Sequence, residues 1–443
     1  MINRKDIQAI VKGDKRVVRG WVMYDLANSV YQLTIASAIF PIYYNTVTRN
    51  GNDFVISFFV LKVINTVMYS WSIAAAYFLV AMFSPLFSSM ADYTGRRKGF
   101  MRAFTIIGAT ACGALFFFDK QHIELGVIAF TLGTIGYGGS IVFYNSFLPV
   151  IAEEADQDRI SARGYSMGYL GGVVLLLFNL FMIMKPDLFG FSVDSSYPAR
   201  ISFITVFLWW IGFSQITFSR LPKYTFRKRI HHDSVLTNGY RELRQVYNVV
   251  KKSYKLRTYL LGFFFIMMGV LTTMLMAVTF AEKEMHMTDT VLIPTVLLIQ
   301  LVGMLGAWSF ARLSEKYGNL KALMVSVFIW ILICIFVYFM TSTLHFVIAA
   351  FFIGLVMGGS QSLARSTYSK MLPESTTDHT SYFSFYDVME KMATVAGTFS
   401  FGAIEALTGS MRFSILAITL FFIVGIFFLF LLVRKMRNSK LVV

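Results

Sequence analysis

Charge is scarce in this sequence. Only 14% of its 443 residues are Asp, Glu, Lys or Arg, against 56% that are hydrophobic. Mean hydropathy is +0.62, and that balance excludes an ordinary soluble domain. Cysteine is nearly absent too. Cys112 and Cys334 both fall inside apolar runs, so no disulfide framework is expected. The six histidines lie outside every polar stripe, and the adjacent pair His231-His232 suits no metal-ligand spacing. No H-E-x-x-H, no paired catalytic carboxylates and no nucleophile with its base are evident. An integral-membrane enzyme is therefore disfavoured, and no cofactor is implied. A cleavable signal is lacking as well, because the basic N-terminus runs into an apolar segment too long for one.

What the sequence does have is long apolar runs. At about 20 residues per crossing, spans are expected near 21–46, 71–91, 99–118, 123–146, 164–185 and 199–219. Six more follow near 257–281, 290–311, 320–341, 344–368, 383–405 and 411–434. The runs are continuous rather than alternating, which argues against barrel strands. The expected fold is an all-α integral membrane protein of twelve transmembrane helices. It divides into an N-terminal half (1–219), a linker (220–256) and a C-terminal half (257–443).

The segment from Phe54 to Ser70 is ambiguous, being apolar but for Lys62 and Asn65. As a thirteenth span it would invert everything after it, so charge must arbitrate. With the N-terminus inside, 32 of the 40 Lys and Arg fall on the inner side, 7 on the outer, and Lys391 within a span. Such asymmetry places both termini in the cytoplasm and makes 54–70 an outer amphipathic lead-in to the second helix. The net charge of +16 then belongs to loops facing anionic lipid and calls for no nucleic acid. The linker, with Arg227-Lys228-Arg229 and the basic run 251–257, reads as a solvated connection touching headgroups.

The halves repeat each other. Ser88–Lys98 (SSMADYTGRRK) aligns without gaps on Ala311–Lys321 (ARLSEKYGNLK) at an offset of 223, matching Asp92 with Glu315, Gly95 with Gly318 and Lys98 with Lys321. Phe147-Leu148-Pro149 aligns on Met371-Leu372-Pro373 at an offset of 224. Both offsets approximate half the chain, as expected for a pseudo-twofold bundle with a solute site between its halves.

Two spans carry polar stripes. Asp25, Asn28, Ser29 and Gln32 share one face of the first. Asp387, Glu390, Lys391 and Thr394 repeat that geometry in the eleventh, where Asp387 and Lys391 can pair as i,i+4 neighbours. Ionisable groups this deep should face the bundle interior or a water-filled cavity. Either they bind solute, or they form ion pairs that hold the helices in register. Gly164, Gly168 and Gly172, spaced by four, read as close helix packing.

The inner loop Asp92, Gly95, Arg96, Arg97, Lys98 resembles that between helices 2 and 3 of the major facilitator superfamily, with Ser88 and Tyr93 departing from its pattern. Such a carboxylate can pair with a basic residue or a neighbouring helix N-terminus, in contacts made in one conformation and broken in another. More narrowly, Tyr24-Asp25-Leu26-Ala27-Asn28-Ser29 with Phe40-Pro41 resembles the "unknown major facilitator" family, related to autophagy-linked vacuole effluxers. Phe143-Tyr144-Asn145, Gly168–Gly172, Gly358–Ser366 (containing Gln361 and Arg365) and Leu407–Ser410 extend the likeness over both halves. Leu26 replaces a tryptophan, and Met267-Met268-Gly269 stands where relatives tend to carry N-D-G.

The resemblance implies a secondary transporter of two pseudo-symmetric six-helix bundles that exports a small-molecule substrate, with amino acids suggested. The gate would be Asp92, Gly95, Arg96, Arg97, Glu315 and Gly318. Candidate substrate or proton residues are Asp25, Asn28, Ser29, Gln32, Asn145, Gln361, Arg365, Asp387, Glu390 and Lys391. Asp25 would take a proton or an ammonium, and Lys391 would offer the complementary cation to a solute carboxylate, or to Asp387 when the site is empty. The expected partners are the lipid bilayer, the solute and protons, with the chain acting as a monomer. A non-transporting receptor or scaffold using 220–256 stays open as an alternative.

Overall fold

A computed structural model describes residues 11–48, 55–192, 196–222, 235–287, 289–373, 376 and 378–440. Arg227-Lys228-Arg229 and His231-His232 lie outside the described residues. The first crossing begins where the Asp14 side chain caps α1 (Lys15–Val30), accepting from the Arg16 amide at 2.7 Å. It continues through a π-helical segment, Tyr31–Ala38, into α2 (Ile39–Thr48). The wide turn has a local cause. Pro41 cannot donate, and its ring crowds the carbonyl four residues back. The Ile39 amide bonds Thr34 O, and the Ser37 hydroxyl donates to Gln32 O at 2.8 Å.

The next segment differs from expectation in form. Residues 55–64 form an antiparallel hairpin, β1 (Val55–Phe58) with β2 (Leu61–Ile64), in the register Val55↔Ile64 and Phe58↔Leu61. Helix α3 (Asn65–Thr94) starts directly after it. The stretch does not cross and leads into the second crossing, as expected, but it does so as a hairpin through Ile64 and as the first turns of α3 from Asn65. Because it does not cross, the even parity of the crossings stands.

The remaining crossings of the N-terminal half are α4 (Arg97–Ala114), α5 (Ile123–Ser146), α7 (Gln157–Met184) and α8 (Tyr197–Arg220), with the short α6 (Leu148–Ile151) after α5. Helix α9 (Val235–Lys252) precedes the C-terminal half and packs on α3, α10 and α14. That half comprises α10 (Tyr254–Met285), α11 (Asp289–Tyr317), α12 (Asn319–Phe339), α13 (Thr343–Met371), α14 (His379–Thr408) and α15 (Met411–Lys440).

Among the described residues, 10 helices are long and apolar enough to cross a membrane by themselves. Two of the twelve crossings fall short. The first is divided by its π segment, and α14 carries Asp387, Glu390 and Lys391. They are the two spans with polar stripes, and interior position rather than hydropathy accounts for them.

Each half has its own core. Trp210, Phe203, Phe130 and Phe40 cluster in the N-terminal half, and Trp330, Phe422, Phe263 and Tyr259 in the C-terminal one. Between the halves Ala162, Ala307 and Ala311 form a small buried cluster of their own, while Tyr169 packs on the C-terminal core and Val296 and Leu297 on the N-terminal one. The halves touch along α7 against α11 and α13, and along α14 against α3 and α5. Gly168 and Gly172 do serve packing, since a Cβ there would crowd Ser29 and Leu33 of the first crossing.

Candidate substrate site and gate

The bundle has a basic end, bearing Lys15, the 94–97 turn, α9 and Lys440, and an opposite end bearing the hairpin. Asp25 sits about 15 Å into α1, by helical rise, and is 6% exposed. Its partner comes from the other half. Arg365 of α13 reaches Asp25 Oδ2 with Nη1 at 3.3 Å and Nη2 at 3.4 Å, and Tyr144 donates its hydroxyl to the same oxygen at 2.7 Å. Arg365 also donates from Nε to Ser161 Oγ at 2.9 Å, from Nη2 to Ser161 O at 2.8 Å and from Nη1 to Asn145 Oδ1 at 3.3 Å.

The guanidinium packs over the rings of Tyr165 (4.3 Å), Trp21 (4.8 Å) and Tyr144 (5.5 Å). This saturation keeps a buried cation tolerable. Gly164 is required here, because a Cβ on it would overlap Asp25 Oδ2. Asp25, Asn145 and Arg365 were all candidates from the sequence, but their meeting was not foreseen, since α13 is the helix that faces Asp25 at this depth.

Above that floor, toward the hairpin end, polar side chains from both halves stay partly accessible in the bundle interior. They are Ser29, Gln32, Tyr77, Tyr137, Tyr165, Tyr169, Gln361, Glu390 and Thr394. Tyr169 donates to Gln361 Oε1 at 3.2 Å across the halves. Asn28 is buried, and its amide nitrogen has no acceptor among the described residues. Lys391 pairs with Asp387 as the i,i+4 spacing implies, and its Nζ lies 6.0 Å from the Tyr77 ring of α3. Tyr137 and Tyr165 lie within electrostatic range of both Asp25 and Glu390, so the two stripes approach each other in the bundle interior.

The basic end is shut by two latches. Asp92, at the end of α3, is buried and bonded to Arg97 Nε at 2.8 Å. It accepts from the Thr380 amide at 3.3 Å, the Ser381 amide at 2.7 Å and the Ser381 hydroxyl at 2.9 Å. The carboxylate therefore caps α14 from the other half and complements its dipole. Gly95 makes the sharp turn at φ +67°. Arg96 is exposed and takes no part, contrary to expectation.

The repeat does not reproduce this arrangement. Glu315 is exposed, and Gly318 (φ +86°) only forms the turn before α12. The second carboxylate is Asp158, at the start of α7. It accepts from Ser314 Oγ at 2.8 Å, from Lys370 Nζ at 2.8 Å and from Asn319 Nδ2. Both latches join a helix start to the facing loop, but the acid sits on the loop side in one and on the helix in the other. Sequence reasoning missed Asp158, although Glu153, Glu154, Asp156 and Asp158 crowd that helix start. It missed Ser161 and Lys370, for which no local signal exists, and Tyr144, although the Phe143-Tyr144-Asn145 motif contains it.

Independent halves, a shared polar interior and one closed end are the features of a major facilitator transporter, and comparison of folds agrees. The transporter FucP, solved in its outward conformation, superposes with a TM-score of 0.70 over 96% of this chain and 99% of its own, at 13% identity. The human organic anion transporter MFSD10 gives 0.67 over 95% and 100%, at 14% identity. The fold is that of the superfamily, and together with the sequence relationships that follow it makes the chain a multi-pass membrane transporter of that class.

Its sequence narrows the class. The family model described as "Vacuole effluxer Atg22 like" matches residues 13–440, and the chain belongs to that family. A Bacillus subtilis (strain 168) relative, named "Uncharacterized MFS-type transporter YxiO", is 27% identical over 406 residues, covering 92% of both chains. Autophagy-related protein 22-1 of Aspergillus terreus is 22% identical over 435 residues, covering 78% of this chain and 70% of its own.

Proposed function

We propose that this chain exports a small polar solute, of which an amino acid is the favoured class, by alternating access with proton coupling. The observation that carries the reading is the Asp25–Arg365 pair. It joins the two halves deep in the bundle, so in this reading it breaks when they separate at the basic end. Solute or a proton arriving at Asp25 competes with that pair and loosens the closed state, while Arg365 and Lys391 offer cations to a carboxylate. In this reading 1–219 and 257–443 rock as units about 220–256. The 32-to-7 charge split supports a cytoplasmic basic end with both termini on it.

Purified protein in liposomes should move radiolabelled amino acids, faster under an imposed pH gradient. Asp25→Asn and Lys391→Met should each abolish that flux while remaining monodisperse. Normal transport by both variants would reduce the two stripes to a structural role.

A further inference from the structure

Two acids of the interior have cationic partners, Asp25 with Arg365 and Asp387 with Lys391. Glu390 has none. Among the described residues no hydrogen bond or ion pair reaches its carboxylate, although its backbone carbonyl accepts from Thr394. One turn earlier on the same helix, Asp387 keeps its second oxygen buried and without a donor. The site is therefore one positive charge and several donors short.

Its surroundings indicate which cation fits. Tyr77 of α3, Tyr137 of α5, Tyr165 of α7 and Tyr386 of α14 all lie within electrostatic range of Glu390. They come from both halves, and Tyr77, Tyr137 and Tyr165 are partly accessible, as is Glu390 itself. Tyr137 is held by stacking on Tyr31 at 5.2 Å. Tyrosine rings beside an unpaired carboxylate attract an organic cation. A hard metal ion would want six or so oxygen ligands, and no metal-binding group of acids is present among the described residues. A lone proton on Glu390 would cancel the charge but leave the second Asp387 oxygen without a donor. An ammonium group supplies the charge and several N–H donors together.

We propose that Glu390, with Asp387 beside it and Tyr77, Tyr137, Tyr165 and Tyr386 around it, binds the protonated amine of the transported solute. This rests on reading the interior as the solute path. It moves ammonium recognition from Asp25 to Glu390 and extends the substrate class to amines lacking a carboxylate.

The test is calorimetric titration of the full chain in detergent with phenethylammonium chloride, its neutral isostere 2-phenylethanol, and sodium chloride. The amine should bind saturably, and at least ten-fold tighter than the alcohol, while sodium gives no heat. Glu390→Gln should weaken the amine at least ten-fold with an unchanged unliganded melting temperature. Tyr137→Leu, which leaves the acid in place, should weaken it several-fold and covers the case in which Glu390→Gln fails to fold. Equal binding of amine and alcohol, or full affinity in both variants, would overturn the proposal. Amine binding without flux in liposomes would count against transport alone. Flux that survives Glu390→Gln, with no amine binding in either protein, would count against this subsite alone.

Discussion

The Asp92 carboxylate and the Ser381 backbone amide, 2.7 Å apart, belong to different halves of the molecule. A helix N-terminus is thus capped by a residue that leaves whenever the halves separate at the basic end. In the proposed cycle, closure of that end is a capping equilibrium that can be perturbed without touching the candidate solute site.

Asp92→Asn retains the side chain's size and one acceptor but turns an NH2 toward donors and loses the attraction to Arg97. Hydrogen bonds to charged groups contribute about 1.5–3 kcal/mol each, so the closed state should lose about ten-fold or more in population. A cysteine at Ala162, buried in the small cluster between the halves, reports this. It should label from the basic side much faster in the variant. An unchanged labelling rate would leave the 92–98 loop with a role in topology only.

Asp158→Asn should act in the same direction through the second latch, and Lys370→Gln more weakly, since Asn319 and Ser314 still hold the acid. The two latches share no side chain, so the Asp92→Asn and Asp158→Asn effects on the Ala162 reporter should add to within about 0.5 kcal/mol. Strong non-additivity would mean that the halves do not close as rigid units.

Removing one partner of a buried ion pair costs about 3–5 kcal/mol, whereas replacing both costs far less. Arg365→Met should therefore lower the melting temperature in detergent markedly. Arg365→Met with Asp25→Asn should recover much of the loss. A double variant no more stable than the single would show that the two side chains do not act on each other.

The hairpin and the turn after α11 should lie on opposite sides of the membrane. Cysteines at Ser57 and at exposed Glu315 should react with an impermeant reagent from opposite faces of oriented vesicles. Reaction of both from one face would refute the twelve-crossing parity.

Sequence alone determined the features whose physics is local. A crossing needs about 20 apolar residues in a row, so helix number and placement were readable in ten spans from hydropathy. The two spans interrupted by charge still showed as amphipathic stripes. Asp387 and Lys391 pair because i,i+4 spacing puts them on one face of one helix, and the duplicated 88–98 loop pointed to Asp92 because the acid, glycine and basic residues recur together.

The rest was decided by which helix faces which. Arg365 lies 340 residues from Asp25 in sequence, and nothing in either segment indicates that α13 rather than α14 meets the first crossing. Duplication pointed to Glu315, yet Asp158 makes the second latch, because repeated sequence preserves backbone position but not which side of a contact carries the charge. The hairpin at 55–64 escaped for a related reason. Strands of four residues are stabilised by each other, through a ladder that no single strand shows. Tertiary contact decided these features because a buried charge is stable only where the whole fold brings it a partner.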